Sequence, residues 1–438
     1  MDINIIKKLN TVQALKYVLN DIIMEDFQVI DCLTAVTAER SLLGQDTGLG
    51  KTIIASGIMK MLHNENPNRK FIFVCKTHQF IQTPKKIADA TGLTVIDISS
   101  KQLDIDLKLK TGDFLKYDVL ILAEEVFDNP VVNEILLAAR RYYCGIFVDE
   151  IHTMCNYNES CRAHIIRCMM KYFKFAYGMS ATPMTSNLDQ YSRILNMLEP
   201  ETFPKYSSTT KDLRSGLLNI ESKYPGLYIR RTRRDLGIPN NYRNHIHLVD
   251  AMPHQVGADG RDLFETCKGE GADNQVNELI KILKSARGKG IVYIRHHSVR
   301  EFVSKRLNLA GIHHECIHGK TSRDERRRIM NSYNNNEINL VITSITSSID
   351  LDGDYLVLYE YTCELRQILG RLERGLIPKM VDIHYIFTDT TGEVRYFIDK
   401  IYQRSLILQT VLRRDYSMIL QIYRRLAEKG VYDARHQC

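Results

Sequence analysis

The chain has no run of about 18 uninterrupted apolar residues, which excludes a bilayer-spanning helix. Its first residues, MDINIIKKLN, lack the long apolar stretch and the small-residue cleavage site of a secretory signal. Ten cysteines are scattered without one C-x-x-C pair, so neither a disulfide framework nor a standard closed zinc site is expected, and reduced thiols in an intracellular protein are. Low-complexity tracts and short repeats are missing, and tryptophan is absent. An excess of one charge sign is also nearly missing. Lysine plus arginine total 59 against 52 acids, a formal +7 that speaks for nucleic acid only where basic residues cluster.

What remains is an ordinary globular composition, 44% hydrophobic and 25% charged over 438 residues, enough for two or three domains. Short apolar segments at 70–75, 118–122, 145–148 and 174–179 alternate with helical patterns, which implies crossovers and a largely parallel sheet. Residues 187–240 break this rhythm with a polar, helical, arginine-bearing stretch, and 256–275 is rich in Gly, Asp and Asn. Alternation returns with strand candidates at 290–295, 313–318, 339–344, 355–360 and 381–387, and the chain ends in helical periodicity. The fold class expected is α/β, two tandem lobes with parallel sheets. The first lobe takes residues 1–186 and a helical insertion and connection takes 187–250. A linker follows at 251–275, the second lobe at 276–390 and closing helices at 391–438.

The chemistry begins at GQDTGLGKT, residues 44–52, which resembles the phosphate-binding pattern G-x-x-x-x-G-K-[ST] with Gln45 at the place of its first glycine. Gly48 and Gly50 let the backbone turn its N–H groups toward a phosphate, and Lys51 offers a cation to the β/γ-phosphates. Thr52 offers a hydroxyl to magnesium, and a helical run follows at once, adding its N-terminal dipole. Gln45, Asp46, Thr47 and Leu49 complete the loop as nucleotide-binding candidates. About 100 residues on, GIFVDEIH sets Asp149 at a strand end, where it can hold the magnesium shell, and Glu150 beside it, where it can activate water. SATP, 180–183, comes next, and far downstream Gln367, Gly370, Arg371 and Arg374 fit Q-x-x-G-R-x-x-R. The group His152, Cys155, Cys161, His164 and Cys168 has zinc-ligand residue types, but its spacing fits a helix with core-facing cysteines better than a closed site.

In this order the motifs resemble helicase superfamily two. The ending GLGKT, the stretch 193–206, the arginine-rich segment 226–255 and the C-terminal DTTGEVRYFIDKIYQ are similar to the Swi/Snf-type translocase family, over about residues 25–412. The resemblance implies two RecA-like lobes with ATP and Mg2+ between them. It implies Gln367, Arg371 and Arg374 as catalytic partners from lobe two, and Gln28 as the adenine-recognising residue. It also implies nucleic-acid contacts at Lys76, Thr77, His78, Arg295, Thr343 and Ser344. Motif V departs from the family pattern, leaving both Asp350 and Asp352 open for its acidic role. Arg230, Arg231, Arg233 and Arg234 read as either a DNA-facing, ATP-coupled patch or a solvated surface, and Arg326 to Arg328 as a solvated helix face.

The function expected is an ATP-driven translocase on double-stranded DNA. A strand-separating helicase and a nucleic-acid-independent ATP switch are the alternatives. No membrane partner is expected, and the chain reads as a monomer recruited by a protein or by DNA structure. It would act in the cytoplasm of a bacterium or of a phage- or virus-infected cell, or in a nucleus.

Overall fold

The computed structural model describes residues 19–20, 22–77, 79–80, 82–155, 161–183, 188–203, 220, 224–238, 242–255, 268–344, 351, 353–361, 368, 372, 380–388, 393, 397, 424 and 427–428. Two compact units divide after Arg231.

In the first unit seven strands form a sheet in the order β3-β4-β2-β5-β6-β1-β7. They are β1 (Arg40–Leu43), β2 (Phe71–Cys75), β3 (Val95–Ile98), β4 (Val119–Ala123), β5 (Gly145–Asp149), β6 (Phe175–Met179) and β7 (Tyr228–Ile229), and every pairing is parallel. Central strands β2, β4 and β6 are buried at every position, which is why they read as unbroken apolar runs rather than as alternation. Helices α1 (Asp26–Ala38), α2 (Lys51–Glu65), α3 (Thr83–Thr91), α4 (Pro130–Ala139), α5 (Cys161–Tyr172) and α6 (Leu188–Leu198) accompany them.

Local chemistry sets the helix ends. Glu25 and Gln28 make a reciprocal capping box at α1, and Asn129 with Pro130 starts α4. Arg40 explains why β1 opens on a cation. Its guanidinium donates to the Met170 carbonyl at 2.7 Å and to the carbonyls of Phe173 and Leu198, satisfying chain ends that follow α5 and α6.

In the second unit six strands run parallel in the order β10-β11-β9-β12-β13-β8. These are β8 (Tyr242–Val249), β9 (Gly290–Tyr293), β10 (Glu315–Ile317), β11 (Leu340–Thr343), β12 (Tyr355–Leu358) and β13 (Val381–Thr388). With them go α7 (Asp273–Ser285), α8 (His297–Leu309) and α9 (Arg323–Asn334), the last capped by the Ser322 hydroxyl, which accepts from the Glu325 N–H at 3.2 Å. Val276, Leu279, Val292, Val303, Ile342 and Val357 are core residues of this unit. A charged pair is buried here too: Lys268 Nζ lies 2.6 Å from Glu393 Oε1, with side-chain exposures of 0% and 1%. That pair survives burial because both charges are hydrogen-bonded further, Lys268 to the Ile386 carbonyl and Glu393 to Tyr361 and Thr388.

All nine strand candidates read from the apolar segments are strands. Four others, β1, β3, β7 and β8, are too short or too polar to stand out. β7 lies in the stretch read as a helical insertion, and its two residues are a strand because β1 supplies the partner. Most of the segment 256–275, and nearly all of the closing helices at 391–438, lie outside the described residues.

Candidate active site

Parallel strands deliver their C-terminal ends to one edge, and register fixes what meets there. Leu43 of β1 pairs with Met179 of β6, and Met179 pairs with Asp149 of β5. The phosphate loop, the SATP turn and the Asp-Glu pair therefore leave the sheet from one row, Leu43 and Asp149 lying two strand spacings, about 10 Å, apart.

The loop turns as its glycines predict. Gly48 and Gly50 have φ of 82° and 80°, the left-handed region, and Gly50 directly precedes α2 without any side-chain cap. The first-turn N–H groups of α2 thus face the loop with the helix dipole behind them. Gly44, one residue before the patterned position, has another duty. A Cβ there would stand 2.4 Å from the Tyr228 ring, so the glycine lets β7 close on the loop.

Gln45 is fully buried, and its Nε2 donates to Asp31 Oδ2 at 3.0 Å. The residue that breaks the usual pattern is a tether to α1. Arg231 Nε reaches the other oxygen of the same carboxylate at 2.9 Å, and burial pushes the Asp31 pKa up while Arg231 opposes the shift. Arg230 holds Asp46 at 2.7 Å and also donates to the Gly44 carbonyl. Asp46 N–H donates to the Arg231 carbonyl at 2.9 Å. The Arg230 side chain and Arg233 are buried and Arg231 is partly so, while Arg234 is exposed, so only the last of the four fits the solvated reading. Arg230 grips the loop, and Arg231 meets it through its carbonyl and through Asp31.

Gln28 is buried, and both ends of its amide are engaged. Oε1 accepts from the Glu25 N–H at 3.0 Å, and Nε2 donates to the Leu49 carbonyl at 3.1 Å. Lys51 Nζ donates to the Gln45 carbonyl at 3.0 Å, within the loop it would serve. Thr47 and Thr52 are both partly exposed beside it.

Asp149 is partly exposed, and its Oδ1 accepts from the Glu150 N–H at 2.9 Å. Glu150 is buried and has φ of 49°, uncommon for a residue with a Cβ. His152 Nδ1 lies 3.3 Å from Glu150 Oε2 and 2.8 Å from Ser180 Oγ, and Gln190 Nε2 donates to the His152 carbonyl at 2.8 Å. The D-E-x-H and SATP motifs are thus joined through one imidazole. A partly exposed carboxylate and an uncapped helix start that leave the same sheet edge suit a magnesium-bound triphosphate, and the residues present fit it.

The remaining expected positions fall differently. Lys76 and Thr77 follow β2 at the same sheet edge, and the Thr77 hydroxyl donates to Glu125. Arg295 is exposed after β9, where its N–H and that of His296 donate to the buried Glu360. Thr343 is buried at the end of β11, with Ser344 partly exposed next to it. His78, Asp350, Asp352, Gln367, Gly370, Arg371 and Arg374 lie outside the described residues. Cys155 is buried with its thiol directed at Met197, Cys168 and His164 face each other 3.7 Å apart one helical turn away, and among the described residues no cluster of three or more His, Cys, Asp or Glu side chains forms a metal site. Arg327 and Arg328 are exposed as expected for that run, Arg328 pairing with Glu325 and Glu315, whereas Arg326 is partly buried and donates to the His318 carbonyl at 3.4 Å.

Sequence reasoning missed Asp31 and Tyr228. Asp31 lies on the helix that carries Gln28 but belongs to no motif itself, and only the proximity of Gln45 and Arg231 gives it a role.

A model of the type III restriction enzyme res subunit matches residues 7–185, and a model of the helicase conserved C-terminal domain matches residues 274–375. No curated protein matches the chain. Among solved structures, the Sulfolobus solfataricus SWI2/SNF2 ATPase core in complex with dsDNA is 15% identical, with 89% of this chain and 92% of that chain covered at a TM-score of 0.43. Among the described residues no helix is long and apolar enough to cross a membrane. The two matched regions take in β1 to β6 and β9 to β12, the phosphate loop and the D-E-x-H motif, and together they mark the core of this chain as a helicase-like ATPase of superfamily two.

Proposed function

We propose that the chain is an ATP-dependent translocase on double-stranded DNA, of the Swi/Snf type. The observation that carries this reading is the grip of Arg230 on Asp46 of the phosphate loop, with Arg231 holding Asp31, the carboxylate to which Gln45 of the loop is tethered. These arginines lie in the segment that resembles the Swi/Snf family beyond its ATPase motifs, and their contacts with Asp46 and Asp31 support a role for that segment beside the phosphate loop.

Lys51 leaves the Gln45 carbonyl for the β/γ-phosphates when nucleotide enters, and the N–H groups of residues 48–52 line the phosphate path. Thr52 and Asp149 would hold the magnesium ion, which supplies charge neutralisation at the phosphates. Glu150, oriented by His152, takes a proton from the attacking water. Arg371 and Arg374 are assigned to the charge that develops at the γ-phosphate, with Gln367 beside them. Lys76, Thr77, His78, Arg295, Thr343 and Ser344 are assigned to the nucleic-acid backbone, a sequence-independent grip that makes binding strongly salt-dependent.

The test compares ATP hydrolysis with double-stranded DNA, single-stranded DNA and RNA, alongside triplex displacement. Stimulation by duplex DNA with triplex displacement is expected. Stimulation mainly by RNA, or efficient strand separation without triplex displacement, would favour the strand-separating helicase. Hydrolysis indifferent to any nucleic acid would point to an ATP switch acting on a protein.

A further inference from the structure

The far edge of the first sheet carries a groove that none of the ATPase motifs uses. It lies where β5 and β6 begin, about 13 Å of strand away from the Asp149 end, and has a volume of about 450 Å3. Arg69, Arg141, Tyr142, Tyr172, Lys174 and Phe175 line it.

Its walls pair cations with rings. The Arg140 guanidinium lies 4.4 Å from the Tyr172 ring centre, and that of Arg141 lies 5.0 Å from the ring of Tyr142. Arg69 and Lys174 sit 5.2 and 5.3 Å from the ring of Phe175. Tyr142 is 48% exposed and Tyr172 49% exposed. With about half of each residue in water, each ring keeps open surface beside its guanidinium, Tyr172 also meeting Phe173 edge-to-face at 5.6 Å. Two acids pair with this cationic rim, Glu65 with Arg69 and Glu39 with Lys174, leaving Arg141 in excess.

We propose that this groove binds single-stranded nucleic acid, its bases stacking on Tyr142 and Tyr172 and its phosphates meeting Arg141 and Lys174. Open aromatic faces reward unstacked bases, which a duplex does not present, and the arginines add both charge and cation–π contact. The volume suits one or two nucleotide units rather than a helix lying across the edge. The site is separate from the motif positions assigned to translocation and does not depend on that assignment.

The experiment photocrosslinks the full chain to a single strand carrying 5-iododeoxyuridine and maps the modified peptides. Adducts on Tyr142 and Tyr172 are expected. In the double variant Tyr142→Ala/Tyr172→Ala those adducts vanish and single-strand affinity falls about tenfold or more, while duplex-stimulated ATP hydrolysis stays unchanged. Both tyrosines are exposed, so the variant should melt with the parent, and a matching melting curve shows that it folds. An abasic strand should bind parent and double variant equally, yet bind Arg141→Glu more weakly. Adducts confined to other peptides would overturn the proposal. So would equal loss of duplex and single-strand binding in the double variant, which would mark a merely basic surface.

Discussion

Arg230, just past the last strand of the first sheet, places its Nη2 2.7 Å from Asp46 Oδ1 in the phosphate loop, with 4% of its side chain exposed. A charged pair so enclosed fixes the loop from outside its own sequence. In Arg230→Ala the Asp46 carboxylate and the Gly44 carbonyl lose their donor, at a cost of about 2–3 kcal/mol. Nucleotide affinity should fall by about tenfold, since a loop that must be ordered on binding charges that cost to the ligand. Urea unfolding and titration with a fluorescent ATP analogue measure the two effects. An unchanged affinity in a destabilised variant would leave Arg230 a purely structural residue.

Gln45→Gly restores the usual pattern of a phosphate loop and should make this one worse. It removes the amide that donates to the buried Asp31 carboxylate at 3.0 Å. The lost charged hydrogen bond costs about 1.5–3 kcal/mol, and the added backbone freedom about 0.5–1 kcal/mol more. Thermal melting should fall by several degrees, and turnover should not rise. An equal or higher melting temperature would show that the tether carries nothing.

Glu150→Gln keeps the shape of the buried side chain beside His152 and removes its basicity. ATP should still bind, while turnover drops by roughly 10²- to 10⁴-fold. Equilibrium binding beside steady-state hydrolysis separates the two. Near-normal turnover would remove the assignment of the water-activating base.

The second unit should lose stability in acid. Burial and then the neighbouring His245 and His247 push the His384 pKa down to about 4, with Asp382 opposing. Burial also lowers the His247 pKa, against Glu278 and helped by His245 and Lys281. Around this cluster Arg243 lies 3.6 Å from Asp382. The folded value of His384 lies below the unfolded value of about 6.5, so the unfolded chain binds the proton more tightly. The contribution is therefore complete above about pH 6.5 and lost as pH falls toward 4. Urea midpoints between pH 7 and pH 5 should drop in the parent and drop less in His384→Gln.

The sequence by itself determined the two-sheet α/β architecture and the motif set of the nucleotide site. Both are written locally: β2, β4 and β6 are continuous apolar runs because both their faces are buried. Gly48, Gly50 and Lys51 carry their chemistry in adjacent positions. Only the tertiary structure decided what Gln45 and the arginine-rich segment do. Asp31, Gln45 and Arg231 are far apart in the chain, and none has a periodic or turn signal of its own. Two-residue β7 is a strand only because β1 offers its edge, and that pairing carries Arg230 and Arg231 to the loop. A buried carboxylate needs partners that propensity cannot specify, and here a glutamine in place of a glycine is one of them.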